Sequence, residues 1–458
     1  MLEKRFILLF CIITTLGLLL RLVNYTQVPA LGETRDEFMY PWAGLTLLQT
    51  GTPSSWSYFE SYTQRTSIYL WDQEFRIVTP WFDKPLLYPL LTGGFLWLFG
   101  ARDFADVNLM FLRLIPIGLS IPTLVLLTLI ARDVFSKKVA LIAATLYATV
   151  TTIVLANRLS LTENLLTPLF LGITLLTLRL RNNSQLITIG ILSGLAFHTK
   201  QIGAAVIGYP LALLILKRDY KKVLQLLSIF LACVAIYFLV VAWYDWGLYL
   251  RVMSDFRHAH ALAGLPELIQ TIFRFPTISQ KTRLLLDGSI LAGLILLLAR
   301  PFYTANESKK GMALIVVPLA YVTVLTLVES GGTNFSYFGW HIYPLFPFMM
   351  IGLASHMSYL YQTVRFTPLL LLLLTIGTSC IRFLFLLLPI QYHHLWQYTL
   401  AALISLVLLI WLFTPRLRRM SLAFFFVTYL IVNIITTLTL NRTYPTTAAH
   451  LDSWEGVR

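Results

Sequence analysis

Long apolar runs recur along most of the chain, and they limit it to a fold built from membrane-spanning helices. A run of about 17–25 apolar residues crosses a bilayer as a helix. The first run is Phe6 to Val23, and twelve more follow, at 109–131, 139–156, 163–178, 185–197, 201–216, 223–244, 284–299, 311–328, 340–360, 367–389, 397–413 and 420–440. The sequence therefore predicts an all-α integral membrane protein with about 13 transmembrane helices.

Composition supports this class and argues against a nucleic-acid-binding protein. Hydrophobic residues make up 57% of the 458 positions and charged residues 12%, whereas roughly 25% of a soluble domain is charged. The formal net charge is +14, but the basic residues lie in short clusters between apolar runs, as membrane topology requires. The three cysteines lie singly in apolar runs and predict neither a disulfide framework nor a metal site.

The basic clusters also predict the orientation. Positive residues accumulate in cytoplasmic turns, and clusters in alternate turns fall on the side of Lys4 and Arg5: Arg132, Lys137 and Lys138; Arg179 and Arg181; Lys217, Arg218, Lys221 and Lys222; Arg300, Lys309 and Lys310; Arg365; Arg416, Arg418 and Arg419. We therefore expect a cytoplasmic N-terminus, one transmembrane domain over residues 1–440, and a short extracytoplasmic tail at 441–458. The membrane is predicted to be the plasma or inner membrane.

Two segments leave alternatives open. The first apolar run resembles a signal peptide, but no small-x-small cleavage site follows it, which favours an uncleaved span. The run 185–197 is short and forms either a span or a re-entrant helix together with 201–216. The chain returns to the basic side at Lys217 in both cases.

The first outer loop, about 24–108, is the longest hydrophilic stretch and carries two adjacent carboxylates, Asp36 and Glu37. Apolar residues at helical spacing predict a helix from Asp36 to Gln49, which Gly51 ends. The stretch 84–100 is apolar but interrupted by prolines and glycines, which predicts an interfacial helix. The acid pair has two interpretations: a functional site at the membrane face, or acids that stabilise a helix N-terminus.

Ionisable residues from distant segments collect on this predicted outer side. They are Asp36, Glu37, Asp83, Lys84, Arg158, Glu163, His198, Lys200, Asp245, Glu329 and His341. The chain has no Gly-rich phosphate loop, no H-E-x-x-H and no paired cysteines, so a nucleotide-binding protein or a zinc hydrolase is disfavoured. Acids and bases at headgroup depth instead indicate a site for a lipid headgroup.

Several short motifs resemble those of a known family. They are D-E-x-x-Y from Asp36 to Tyr40, F-D-K-P-L from Phe82, R-L-x-P from Arg113, N-R-L-S-L-T-E-N from Asn157 to Asn164, G-L-A-F-H-T-K from Gly194 to Lys200, and H-I-Y-P-L-F-P from His341 to Pro347. In their order and spacing they resemble polytopic GT-C glycosyltransferases of the protein O-mannosyltransferase and lipid A aminoarabinose transferase superfamily. Residues 5–220 carry most of this resemblance.

The resemblance implies a GT-C fold and a role for each matched residue. Such enzymes transfer a sugar from a polyprenyl-phosphate carrier to a hydroxyl or phosphate of a lipid, glycan or protein acceptor outside the cytoplasm, with inversion. The implied catalytic residues are Asp36 as base, Glu37, which orients Asp36 or binds the acceptor, and Glu163. The implied donor-phosphate contacts are Lys84, Arg158 and Lys200, and the implied substrate contacts are Tyr40, His341 and Tyr343. An inverting transfer needs a base for the acceptor hydroxyl and cations for the departing phosphate.

Cofactor and acceptor are less constrained than the reaction. No cofactor is required by the motifs, and the acids could hold a divalent cation, although no ligand spacing demands one. The sequence shows neither the large C-terminal domain of the lipid A enzymes nor the soluble insertion of the eukaryotic mannosyltransferases. Lipid A as acceptor is therefore in doubt, and a protein acceptor is no better supported. The rival classes are a transporter or flippase of lipid-linked sugars, which would need internal repeats and ionisable residues within spans, and a structural membrane scaffold.

Overall fold

The computed structural model describes most of the chain, with gaps that fall mainly in its second half. The described residues are 2–29, 34–70, 73–259, 288–303, 311, 313–328, 339–363 and 417–439, and the single positions 398, 402, 405, 406 and 409. Glu329, the predicted spans 367–389 and 397–413 apart from those single positions, and the predicted tail 441–458 lie outside these residues.

The described part is mainly helical. In chain order the helices are α1 (Leu2–Leu22), α2 (Asp36–Thr50), α3 (Leu87–Leu98), α4 (Leu109–Val134), α5 (Lys137–Thr149), α6 (Thr151–Ala156), α7 (Thr162–Leu178), α8 (Asn183–Thr199), α9 (Gly208–Leu216), α10 (Tyr220–Ala259), α11 (Gly288–Tyr303), α12 (Ala313–Val328), α13 (Phe346–Thr363) and α14 (Arg418–Thr439). Two 3₁₀ segments, Gln201–Ile207 and Gly339–Leu345, lead into α9 and α13.

The prediction of a helical membrane protein is confirmed. Four of the described helices are long and apolar enough to cross a membrane: α1, α4, α10 up to Asp255, and α14. Shorter apolar helices, among them Thr162–Leu178 and Gln201–Leu216, accompany them. The predicted run 139–156 is two helices, because the chain breaks at Val150 between α5 and α6. The number of 13 spans stays a prediction.

The first outer loop contains a small antiparallel sheet that the sequence analysis did not predict. Its strands are β1 (Ser55–Trp56), β2 (Arg65–Leu70) and β3 (Gln73–Val78), in the order β1-β3-β2. Phe75 of β3 is buried against Phe38 and Trp42 of α2, with ring centroids 6.4 and 5.0 Å apart. The sheet therefore fixes the helix on which the carboxylate pair lies.

Helices α2 and α3 confirm the two helices predicted within this loop, and they pack at very close range. The α2 helix ends at Gly51, which has the positive φ of 74° that favours glycine. A Cβ on Gly44 would lie 1.9 Å from the carbonyl oxygen of Pro89, and a Cβ on Gly93 would lie 2.4 Å from the backbone of Gly44. Only glycine at both positions permits this contact, which holds the start of α2 beside the Lys84 turn before α3.

Helix α10 is two helices joined at a kink. Asp245 has extended backbone angles inside it, and its Oδ1 accepts a hydrogen bond from the backbone N–H of Leu248, 2.8 Å away. Asp245 is thus the N-cap of the second half. That half folds back over the first outer loop, where Asp255 Oδ2 accepts from the N–H of Ser61 at 2.7 Å.

Ion pairs bring several of the predicted basic turns to one end of the bundle. Lys137 pairs with Glu3 at the start of α1, and Arg179 after α7 pairs with Asp133 at the end of α4, with 2.6 Å between nitrogen and oxygen. Arg132 lies 4.0 Å from Glu3. The start of α1, the ends of α4 and α7 and the start of α5 therefore share one face, as the alternation of basic turns predicts.

Candidate active site

Four of the predicted site residues converge at the opposite end of the helices. Asp36 begins α2, Lys84 lies in the turn before α3, Glu163 is in the first turn of α7, and Lys200 follows α8. The charges of Lys84, Glu163 and Lys200 all act on Asp36. We call these four residues the charged cluster. It joins residues from four separate segments, which is the arrangement expected of a site.

Asp36 is the partly buried acid of the charged cluster. Burial raises the pKa of its carboxyl to about 6, an effect that the positive charge of Lys84 opposes and the negative charge of Glu163 adds to. A carboxyl with such a pKa is still ionised at neutral pH, and it is a stronger base than an ordinary aspartate. Thr34 fixes the helix start, because its Oγ1 accepts the N–H of Asp36 at 3.2 Å.

Glu163 and Lys200 form a buried ion pair. Lys200 Nζ donates to Glu163 Oε1 at 2.8 Å, and the two side chains are 4% and 1% exposed. The Thr162 hydroxyl donates to the other carboxylate oxygen at 3.0 Å. Both charges of the pair act on Asp36, after the larger effects of burial and of Lys84, so the pair contributes to the electrostatic potential at that carboxyl.

Glu37 has contacts different from those of its neighbour Asp36. Both of its oxygens face Arg113 of α4, with Nε to Oε1 at 3.0 Å and Nη2 to Oε2 at 2.8 Å, and neither side chain is exposed. The N–H of Ser160 also donates to Oε1, at 3.1 Å. Glu37 therefore ties the start of α2 to α4 and to the turn before α7. These contacts favour the first of the two roles predicted for Glu37, which is to orient Asp36, and its part in catalysis stays a prediction.

Arg158 is bound by backbone carbonyl oxygens. Its guanidinium donates to the carbonyl oxygens of Leu20, Arg21 and Val28 at 2.7, 3.2 and 2.8 Å, and the residue is 1% exposed. These carbonyls lie at the end of α1 and in the turn after it, so Arg158 caps that helix. These backbone contacts are sufficient to account for a buried arginine at this position. The contact of Arg158 with the donor phosphate stays a prediction.

The predicted substrate contacts fall at two places. Tyr40 lies one turn after Asp36 and is buried beside the charged cluster, where burial and then the charges of Asp36 and Glu163 raise the pKa of its hydroxyl. His341 and Tyr343 are buried in the 3₁₀ segment Gly339–Leu345, which packs against α7. The carbonyl oxygen of His341 accepts a hydrogen bond from the Tyr321 hydroxyl of α12 at 2.7 Å. This segment is thus next to the helix of Glu163.

The sequence analysis missed Tyr62 as a residue that shapes the Lys84 turn. Its hydroxyl accepts the N–H of Phe82 at 2.8 Å and donates to Asp83 Oδ1 at 2.8 Å. Burial raises the pKa of Asp83 to about 6, against the opposing effects of hydrogen bonds and of Lys84. No sequence pattern links a tyrosine between two strands to a turn twenty residues later. Arg113, in contrast, could have been found from the sequence, because it is a charged residue inside the apolar span 109–131. Charged residues within spans are costly and usually have a partner or a function.

Among the residues that the structure describes, no group of three or more His, Cys, Asp and Glu side chains converges as a metal site. Asp36 and Glu163 are the two carboxylates of the charged cluster. Binding of a divalent cation there therefore stays a prediction.

Comparison with known proteins places this geometry in a class. A family model described as "Dolichyl-phosphate-mannose-protein mannosyltransferase" matches residues 83–246, which run from the Lys84 turn to the kink of α10. No curated protein sequence matches the chain significantly. The matched segment includes Lys84, Glu163 and Lys200 but leaves out Asp36, so the position of Asp36 in the site depends on the structure.

Two solved structures share the architecture. The chain is similar to ArnT from Cupriavidus metallidurans bound to undecaprenyl phosphate, with a TM-score of 0.56, 14% identity, and coverage of 98% of this chain and 79% of that one. It is also similar to the archaeal oligosaccharyltransferase AglB from Archaeoglobus fulgidus in complex with an inhibitory peptide and a dolichol-phosphate, with a TM-score of 0.51 and 13% identity. That match covers 95% of this chain and 56% of AglB, so the chain spans little more than half of the oligosaccharyltransferase.

The fold is that of the GT-C membrane glycosyltransferases, as predicted. Within this class, the family model over residues 83–246 supports the protein mannosyltransferase type, in agreement with the resemblance seen in the motifs.

Proposed function

We propose that this protein transfers a hexose or pentose from a polyprenyl-phosphate carrier to an acceptor hydroxyl outside the cytoplasm, with inversion and with Asp36 as base. The observation that carries the proposal is the charged cluster, in which a partly buried carboxylate of raised pKa adjoins two lysines. The matched family is described by a dolichyl-phosphate-mannose donor, and both compared structures hold a polyprenyl-type phosphate.

The reaction needs two kinds of group, and the cluster contains both. The acceptor oxygen attacks the anomeric carbon, the bond from that carbon to the phosphate oxygen breaks, and the electron pair leaves with the phosphate. Asp36 takes the acceptor proton. Lys84 and Lys200 offset the charge that develops on the phosphate. A base is useful only when the acceptor has a proton to lose, so Asp36 favours a hydroxyl over an ionised phosphate as the acceptor.

Transfer is tested directly with purified protein and a polyprenyl-phosphate sugar. We expect release of the free carrier phosphate together with a glycosylated acceptor. A flippase would instead move the intact donor across a vesicle membrane without cleaving it. Translocation without any carrier release in the presence of candidate acceptors would therefore replace the transferase by the transporter.

Lys84 and Lys200 differ in what their removal should do. Lys84→Gln should weaken donor use by roughly 1.5–3 kcal/mol, the value of one charge-assisted hydrogen bond, with little loss of stability because Lys84 is partly exposed. Lys200→Ala should also destabilise the protein, because it leaves the buried carboxylate of Glu163 unpaired. The measurements are donor KM and kcat beside thermal unfolding in detergent.

The matched control for Lys200 is the double variant Lys200→Met and Glu163→Gln, which removes both charges together. We expect it to recover stability without recovering donor use. Recovery of donor use as well would show that Lys200 serves only the fold.

The pH profile should report Asp36. Because the pKa of Asp36 is raised to about 6, kcat/KM should fall about tenfold per pH unit below that value, as the base becomes protonated. Lys84 holds this pKa down. Lys84→Gln should therefore move the acidic limb to higher pH, by roughly one unit or more. An unmoved limb in a variant that still turns over would mean that another group is the base.

The orientation also belongs to this proposal, and the expected face can be measured. The charged cluster and the 245–283 loop should lie outside, and the turn Lys217–Lys222 inside, since the basic turns share the other face. Single cysteines introduced at Glu60 and at Lys221 should react differently with an impermeant thiol reagent on intact cells. Labelling at position 221 without permeabilisation would invert the topology.

A further inference from the structure

Two cations from distant parts of the chain meet at one tyrosine on the basic face. Lys138 Nζ, at the start of α5, lies 4.2 Å from the ring centroid of Tyr361, near the end of α13. The guanidinium carbon of Arg419, at the start of α14, lies 5.9 Å from the same centroid. Both cations are therefore within about 10 Å of one another, a distance over which salt screens charges incompletely. We call these three residues the Tyr361 cluster.

Lys138 and Arg419 differ from three other cations of this face, which have acidic partners. Arg132 and Lys137 pair with Glu3, and Arg179 pairs with Asp133. Across the described ranges, no carboxylate lies within ion-pair distance of Lys138 or Arg419. Glu3 and Asp133 pair with those other cations, so among the described residues no ion pair offsets the charge of Lys138 and Arg419.

The two cations also stand where a helix disfavours them. Each is the second residue of its helix, and the positive end of the helix dipole repels cations there. A cation–π interaction with one tyrosine ring stabilises each cation by roughly 0.5–1 kcal/mol at an exposed site. The positive-inside rule explains why basic residues occur on this face, but it does not require two of them, 281 positions apart in the sequence, to share a ring. A bound anion would account for that convergence.

The depth of the cluster indicates the source of the anion. Helix α14 is apolar enough to cross a membrane, so Arg419 in its first turn lies at the level of the lipid headgroups. Met420 and Phe424 follow on this helix and are 65% and 63% exposed, which offers an apolar surface for acyl chains within the first two turns after Arg419. A soluble anion has no acyl chains and would make no contact with this apolar surface.

We propose that the Tyr361 cluster binds the phosphate headgroup of an anionic phospholipid on the basic face of the bundle. Lys138 and Arg419 contact the headgroup phosphate, Tyr361 holds both cations beside it, and the acyl chains lie along α14. The site is separate from the charged cluster, which lies at the other end of the helices. The lipid would then link α5, α13 and α14, which come from the first and last thirds of the chain.

The test is a titration of delipidated, purified protein with phosphatidylglycerol or phosphatidylcholine of the same acyl chains, with bound lipid counted by native mass spectrometry. The wild type should bind phosphatidylglycerol at least about tenfold more tightly than phosphatidylcholine. Each of Lys138→Gln and Arg419→Gln should weaken phosphatidylglycerol binding about fivefold, since one basic residue near an anionic surface is worth roughly 1 kcal/mol. The double variant Lys138→Gln and Arg419→Gln should show the product of the two fivefold losses in phosphatidylglycerol binding.

The matched control is the double variant Lys217→Gln and Lys221→Gln, which removes two exposed cations from another turn of the same predicted side. It should bind phosphatidylglycerol within about twofold of the wild type. Equal weakening in the control and the Tyr361 variants would overturn the site in favour of general surface charge. Displacement of the lipid by inorganic phosphate alone would also overturn it, because the acyl chains would then contribute nothing. If the double variant does not insert, the two single variants decide the outcome.

Discussion

Asp36→Asn is expected to lower turnover by roughly two to four decades, the usual value of general-base catalysis, while leaving the protein folded. The amide keeps the shape of the carboxylate and cannot accept the acceptor proton. Its effect on stability should be small or favourable at neutral pH. Because the pKa in the folded protein is raised, folding works against the ionised carboxylate above about pH 6, and a neutral side chain avoids that cost.

The measurement is sugar transfer from a polyprenyl-phosphate donor, with apparent unfolding temperature recorded on the same preparations. Glu60→Gln is the matched control, since it removes a carboxylate from the same loop, and that side chain is 82% exposed. We expect the control to behave as the wild type. Near-normal turnover of Asp36→Asn with an inactive Glu163→Gln would move the base to Glu163, and normal turnover of both would remove the main support for the transferase.

The helices could be predicted because the bilayer imposes one simple rule. Each apolar run must be long enough to cross it and must satisfy its own backbone hydrogen bonds. The runs 109–131, 163–178 and 223–244 therefore lie within helices of the structure, although the ends of those helices extend a few residues further. The break at Val150 was not visible in the pattern, because it does not interrupt the apolar sequence. Asp245 ends the apolar run, but the pattern did not show that a helix continues after it.

The three-stranded sheet illustrates the limit of pattern analysis in the outer loop. Strand β2, Arg65–Leu70, alternates only weakly between apolar and polar side chains, since most of it is exposed. What stabilises the sheet is contact with α2 through Phe75. That contact is tertiary, and no local spacing of residues encodes it.

The candidate site was partly predictable for a related reason. Asp36, Lys84, Glu163 and Lys200 each lie near an end of an apolar segment on the side away from the basic turns, so the predicted topology alone brings them to one side. Which of them touch depends on how the helices pack. Glu37 and Arg158 have the same residue types and the same depth, yet their charged groups are used by Arg113 and by backbone carbonyls. Sequence spacing does not distinguish a charge that serves the fold from one that serves the site.

The second large effect is expected from that fold-serving pair. Arg113→Ala should lower the free energy of unfolding by roughly 3–5 kcal/mol, because it leaves the buried carboxylate of Glu37 without its partner. It also frees the carbonyl oxygens of Tyr25 and Pro29, which accept from Nη1 at 2.8 and 2.7 Å. Glu37→Gln should be milder, since its amide oxygen can still accept the N–H of Ser160. The measurement is denaturant or thermal unfolding in a fixed detergent.

Arg76→Ala is the matched control, because Arg76 of β3 is exposed and surface substitutions usually change the free energy of unfolding by no more than about 0.5 kcal/mol.

Stability and sugar transfer, measured on the same variants, separate the two roles of Glu37. If Glu37 positions α2, then Glu37→Gln and Arg113→Ala should lose activity in proportion to lost stability, and activity should return at low temperature, where both variants are folded. If Glu37→Gln is fully stable and still inactive, its carboxylate acts in the reaction itself. The catalytic role predicted from the sequence would then replace the positioning role inferred from its contacts with Arg113.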